Sequence, residues 1–165
     1  MTLSCSQADY CTVNGTVKGL EDGAKVEMQD AWDHYKVIGT ATVQDGTFAF
    51  RPNISAPTHV YLYQGQNQLK DFILEPGTII VEVDAGDEMD CFTGAAGTIS
   101  NDTYRTLQDL AANGDMDAFE RLRDEVLDAE QTGPLALLFA DGMCESSAQA
   151  LGVLDRLAPE LAGKA

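Results

Sequence analysis

The side chains in this sequence that could do chemistry are four cysteines, two histidines, six serines and 27 acids. Cys5, Cys11, Cys91 and Cys144 never stand in C-x-x-C spacing, so neither a zinc ribbon nor a dithiol redox pair is written here. His34 and His59 lack the H-x-x-x-H or H-x-H partner that a zinc site on one element needs. None of the serines lies in G-x-S-x-G. Asp84-Ala85-Gly86-Asp87-Glu88-Met89-Asp90 concentrates oxygen ligands, but not in the alternating order of a calcium loop, and reads as a solvated acidic turn. Gly94-Ala95-Ala96-Gly97 lacks the lysine of a phosphate-binding loop. No catalytic residue, metal or cofactor is therefore expected. Trp32, Tyr35, Tyr61 and Tyr63 are the candidate ligand platform, because aromatic faces stack on sugars and peptide side chains. The same residues also pack sheets, since strands favour aromatics.

The elements that must position these residues change character along the chain. Ten of the fifteen glycines fall before residue 98, punctuating short β-branched and aromatic runs. Strict alternation predicts strands over 10–18, 25–29, 37–43, 47–51, 59–63, 69–74 and 78–84, with a last short one through 89–93. Asp45-Gly46 is a hairpin signal and Glu75-Pro76-Gly77-Thr78 a β-turn. About eight strands with regular turns predict an antiparallel β-sandwich or partly open barrel.

From Ser100 the spacing becomes helical. Tyr104, Leu107, Leu110 and Ala111 form a stripe capped by Ser100 or Asn101 and closed near Gly114. Asp115 caps a second helix carrying Phe119, Leu122 and Val126. Two more are predicted, one opening at Pro134 with Leu135, Leu138 and Phe139, the other at Ser146 with Leu151, Leu154 and Leu157. The fold class is mostly β with an α-helical C-terminal part. The expected division is a tail over 1–9, a β-sandwich module over 10–98 and a helical connector over 99–165.

A net charge of −17 excludes nucleic acid as a partner and disfavours unaided binding to an anionic membrane. No apolar stretch approaches the eighteen residues that a membrane helix needs. Leu3-Ser4-Cys5, followed by polar Ser6-Gln7, resembles the end of a bacterial lipoprotein signal. Cleavage of such a signal leaves a lipid-bearing cysteine first, so Cys5 is the candidate lipid-attachment residue and the expected contact with a membrane is through that lipid alone. The apolar region that precedes such a cysteine is missing, and an ordinary polar tail is the alternative. An envelope location would also permit a Cys5–Cys11 bridge.

The segments Val13-Asn14-Gly15-Thr16-Val17-Lys18-Gly19-Leu20, Asp45-Gly46-Thr47-Phe48-Ala49-Phe50, Val60-Tyr61-Leu62, Phe72-Ile73-Leu74-Glu75-Pro76-Gly77 and Phe92-Thr93-Gly94, in that order, resemble a domain-of-unknown-function family of Gram-negative envelope bacteria. Its β modules stand N-terminal to thioredoxin-like domains of the peroxiredoxin and thiol–disulfide oxidoreductase type. Asn101-Asp102-Thr103-Tyr104 and Leu154-Asp155-Arg156-Leu157-Ala158-Pro159-Glu160-Leu161 are similar to the helical connector between the two. The resemblance implies a non-catalytic module that acts as spacer, self-association or client-contact domain, with a thioredoxin-like domain in cis if the native chain is longer. It implies a periplasmic or outer-membrane-attached lipoprotein and allows a homodimer. No C-x-x-C occurs in the 165 residues, so no redox residue is carried over. A stand-alone envelope module binding a glycan or peptide through the aromatic residues is the alternative.

Overall fold

In the computed structural model, which describes residues 10–33 and 36–129, alternation becomes seven strands. These are β1 Cys11–Lys18, β2 Lys25–Asp30, β3 Val37–Thr42, β4 Thr47–Phe50, β5 Thr58–Gln64, β6 Asn67–Leu74 and β7 Gly77–Asp84. Two helices follow, α1 Ile99–Ala112 and α2 Met116–Ala129. Cys5, His34, Tyr35, Cys144 and the helices predicted from Pro134 onward lie outside the described residues. A three-stranded sheet in the order β4-β1-β7 stacks on a four-stranded sheet in the order β3-β2-β5-β6. Their inner faces share one core, in which Val13, Phe48, Phe50 and Ile79 meet Val26, Met28, Leu62 and Phe72. The sandwich predicted from the turn rhythm is thus present, without a closed barrel.

Two expectations need correction. The sandwich is not wholly antiparallel, because β1 and β7 pair in parallel from Cys11↔Gly77 to Lys18↔Asp84. Each connection between strands reverses the chain, so the first and seventh run the same way and must pair in parallel once they are neighbours. The expected strand over 89–93 is instead a 3-10 turn, Asp90–Phe92. Local bonds win there: Asp84 Oδ1 accepts the Gly86 N–H at 3.1 Å and Asp87 Oδ1 the Met89 N–H at 2.9 Å. Such Asx turns offer the backbone an alternative to a ladder.

The connections behave as their sequences require. Asp45 and Gly46 take φ of 50° and 68°, the left-handed pair of a two-residue hairpin. Asp115 Oδ1 accepts the Ala118 N–H at 3.2 Å and caps α2 as expected. The α1 cap is displaced: the helix opens at Ile99 with Thr98 as N-cap, and Ser100 and Asn101 lie inside it.

The reversals also give the sandwich two distinct ends. At the entry end lie Tyr10, the β2–β3, β4–β5 and β6–β7 connections, and the start of α1. At the far end lie the β1–β2, β3–β4 and β5–β6 connections and the acidic turn after β7.

Gly15 stands opposite Phe48 in the β1–β4 pair, and the Phe48 ring fills the space a Cβ would take. A side chain there must displace a buried ring. Gly15→Val should therefore lower unfolding free energy by about 1–3 kcal/mol, whereas Asn14→Ala on the exposed face should change it by less than about 0.5 kcal/mol. Denaturant melts of the two variants beside the parent check this.

Candidate functional site

β6 is an edge strand buried like a central one, with every residue from Leu69 to Leu74 inaccessible. Two of them, Lys70 and Asp71, are charged neighbours, each 1% exposed. Consecutive strand side chains point to opposite faces, so this lysine and this aspartate cannot pair with each other. Each needs its own partner on its own face, because an unpaired buried charge is costly.

On one face the Lys70 ammonium donates to the Asp90 carbonyl at 2.6 Å and to Thr93 Oγ1, and faces Asp90 Oδ1 at 2.9 Å. These contacts match its three N–H groups. Burial pulls the Lys70 pKa below its ordinary value, while Asp90 pushes the other way. The other Asp90 oxygen accepts the Asp84 N–H at 2.6 Å. A single carboxylate thus joins β6, the 3-10 turn and the end of β7.

On the other face Asp71 Oδ2 accepts the Tyr104 hydroxyl at 3.0 Å and faces His59 Nε2 at 3.1 Å. A carboxylate only accepts, so the imidazole carries its proton on Nε2. The residue types suggest a hydrolytic triad, but the geometry differs. The tyrosine spends its proton on Asp71, whereas a nucleophile would give it to the imidazole. What the cluster does is fasten α1 to β5 and β6. His59 also begins a row of rings along β5, with Tyr61 at 5.1 Å from it and Tyr63 at 6.1 Å from Tyr61.

Two further contacts complete the attachment. Asn101, fully buried, accepts the Ile73 N–H at 2.9 Å and donates to the Ile73 carbonyl at 2.8 Å. Its side-chain amide stands in for a neighbouring strand along β6. Glu75 accepts the Ser100 N–H at 2.9 Å and the Ser100 hydroxyl at 2.7 Å. It therefore caps α1 from outside, placing negative charge at the positive end of the helix dipole. Ile73, Tyr104 and Val126 form an apolar layer beneath, and Leu107 packs with Phe119 between the helices.

The predicted platform is distributed differently. Tyr61 is buried and Tyr63 half-buried toward the far end, whereas Trp32, 56% exposed, stands at the entry end after β2. Tyr35 lies outside the described residues. Cys11 and Cys91 are free thiols, and Cys5, the other end of the expected bridge, lies outside the described residues. Burial raises the pKa of both. Cys91 Sγ donates to the Glu88 carbonyl at 3.2 Å. Among the described residues no three metal-ligating side chains converge. Sequence reasoning missed the roles of Lys70, Asp71 and Asn101. The available signal was a charged pair inside the apolar run Leu69–Leu74.

The model of the family Domain of unknown function (DUF4369) matches residues 11–104. The chain belongs to the DUF4369 family. The matched span includes all seven strands and also Asn101 and Tyr104, so both contacts of α1 with β6 fall within the DUF4369 unit. A solved DUF3823 family protein from Parabacteroides merdae ATCC 43184 is 17% identical over 47% of this chain, with a TM-score of 0.29. The similarity spans 45% of that protein's chain. No curated protein matches.

Two predictions concern β6 of this DUF4369 domain. Asn101→Ala leaves the Ile73 N–H and carbonyl without their partner, so stability should fall by about 1–3 kcal/mol. Hydrogen exchange should show the Ile73 amide losing protection ahead of the core strands. The second concerns pH. A lysine whose folded pKa is lowered binds its proton more weakly in the fold than in the unfolded chain. Lys70 therefore adds stability as pH rises from that lowered value toward 10.5, and the gain disappears as pH falls back through it. Measured as the difference between parent and Lys70→Met, unfolding free energy should shift in the parent's favour across that alkaline window.

Proposed function

We propose that this chain is the non-catalytic N-terminal module of an envelope-anchored thiol–disulfide oxidoreductase, serving as a rigid mount and contact domain for a thioredoxin-like domain in cis. The observation that carries this reading is the fastening of α1. The connector is tied to the β module at Asp71, Ile73 and Glu75, so the sandwich fixes the direction in which the chain leaves it. A loose tether would have no use for a fully buried Asn101. The class of the mounted domain comes from the resemblance of the strand segments and connector to modules that precede thioredoxin-like domains. Cys5 carries the lipid in this reading, which gives a periplasmic or outer-membrane-attached location.

The thiols support a non-catalytic role. A redox-active cysteine is accessible and has a lowered pKa. Cys11 is buried, Cys91 half-buried, and burial pushes both the other way. Neither is set up for thiol exchange at neutral pH.

The chain should therefore not accelerate insulin reduction by dithiothreitol above the rate without protein, and Cys11→Ser and Cys91→Ser should leave that result unchanged. A rate that vanishes in either variant would overturn the reading. In parallel, the precursor carrying its own leader should partition into detergent, and Cys5→Ser should return it to the aqueous phase.

A further inference from the structure

We propose that the entry end of the sandwich is a membrane-facing surface, which rests in the headgroup layer of the bilayer when the chain is anchored. The inference rests on the lipid-anchor reading of Cys5 and adds to it a surface and an orientation.

The sandwich is polarised along its strands. Six large hydrophobic side chains are exposed among the described residues, and four of them gather at the entry end: Tyr10 at 75%, Trp32 at 56%, Val37 at 48% and Ile99 at 81%. They come from four places in the chain: Tyr10 precedes β1, Trp32 follows β2, Val37 opens β3 and Ile99 opens α1. The Tyr10 carbonyl accepts the Gly77 N–H at 2.7 Å, the Ala31 N–H donates to His59 at 3.0 Å, and Asp30 N–H donates to Lys36 at 3.0 Å. Ser100, next to Ile99, is bonded to Glu75. The far end exposes the acids Glu21, Asp22, Asp45, Asp87 and Glu88, with Met89, Lys18 and Lys25 among them.

Acids at the entry end are mostly engaged in local bonds. Glu75 caps Ser100, Asp30 Oδ1 accepts the Trp32 N–H at 2.9 Å, and Asp102 accepts the Gly97 N–H at 2.9 Å. Lys36 and Arg51 accompany Asp33 there. Tryptophan and tyrosine, apolar with a polar tip, suit a membrane interface. An anionic leaflet repels acidic surface within a Debye length. Both effects turn the same end toward lipid.

The tether agrees. Four residues separate Cys5 from Tyr10, and the five steps between them reach at most about 18 Å. The eight residues of β1 alone rise about 27 Å. An anchor on Cys5 therefore cannot bring the far end to the bilayer while the entry end points away.

Trp32 is the single tryptophan and reports directly. The test compares vesicles of ordinary and acyl-brominated phosphatidylcholine. One arm uses the full chain lipidated at Cys5. A second uses Cys5→Ser held on the same vesicles by an N-terminal histidine tag and a nickel-chelating lipid, which replaces the anchor. Brominated lipid should quench Trp32 in both arms, with a blue shift on binding. Ile99→Asp, at an exposed position, should weaken the quenching while the protein stays tethered. A reporter at the far end, Glu21→Trp in a Trp32→Phe background, should remain unquenched. An unquenched Trp32 in the tagged arm overturns the proposal whatever becomes of Cys5. Quenching in the tagged arm together with failure to lipidate Cys5 overturns the anchor reading and keeps the surface. A Trp32 shift that depends on protein concentration without vesicles, with no quenching on them, assigns the surface to a second copy of the chain and also overturns the proposal.

Discussion

Two neighbouring charges on one strand constrain the rest of the molecule. Lys70 and Asp71 are buried, and the β pleat prevents them from neutralising each other. Each had to recruit a partner from a segment later in the chain: Asp90 for the lysine, Tyr104 on α1 for the aspartate, which also faces His59 of β5. Removing one member of such a buried arrangement strands the other, at a cost of about 3–5 kcal/mol, whereas the whole arrangement adds little net stability over an apolar one. Its contribution is therefore positional. Apolar burial of Ile73, Tyr104 and Val126 supplies adhesion between helix and sheet, but apolar contact tolerates sliding. The Asp71 and Asn101 bonds allow one register.

The same contacts deal with exposed strand edges. An open edge offers unpaired N–H and C=O groups to any passing strand. β6 is blocked by the Asn101 amide, and β7 by the two bonds between Ile80 and Ala96, at 2.8 and 2.9 Å. On the opposite side β4 has only four residues, and the β2–β3 register shifts between Met28 and Gln29. Short strands and bulges are both means of discouraging edge pairing. Both sheets are thereby kept from adding a further strand at these edges.

The sequence was most legible where one face of a strand is wet. β1 and β7 alternate cleanly because Asn14, Thr16 and Glu82 face solvent, and their limits were close to those expected. The hairpin at Asp45-Gly46 was legible because left-handed backbone favours those residues. Strand direction across the β1–β7 pair was not, since alternation reports which side is buried and not which strand is adjacent. The attachment of α1 was hidden for a similar reason. Ser100 and Asn101 look like caps, but their partners, Glu75 and Ile73, lie 25 and 28 residues away. Local spacing carries no record of such pairings. An aspartate inside an apolar run, with a tyrosine in a later helical stripe, was the trace the sequence did contain.

The path of the two helices follows from where α1 is fastened. α1 leaves the entry end beside Glu75 and runs along β6, passing Ile73 at Asn101 and Asp71 at Tyr104. Fourteen residues of helix rise about 21 Å, close to the height of the sandwich. α2 then folds back, and its Val126 packs against Ile73 near the level where α1 began. By residue 129 the chain has thus gained little height, and the helix pair acts chiefly as a lateral brace. The Asp71 and Asn101 bonds hold α1 to one line along β6, and the return of α2 to Ile73 closes the pair against the same strand.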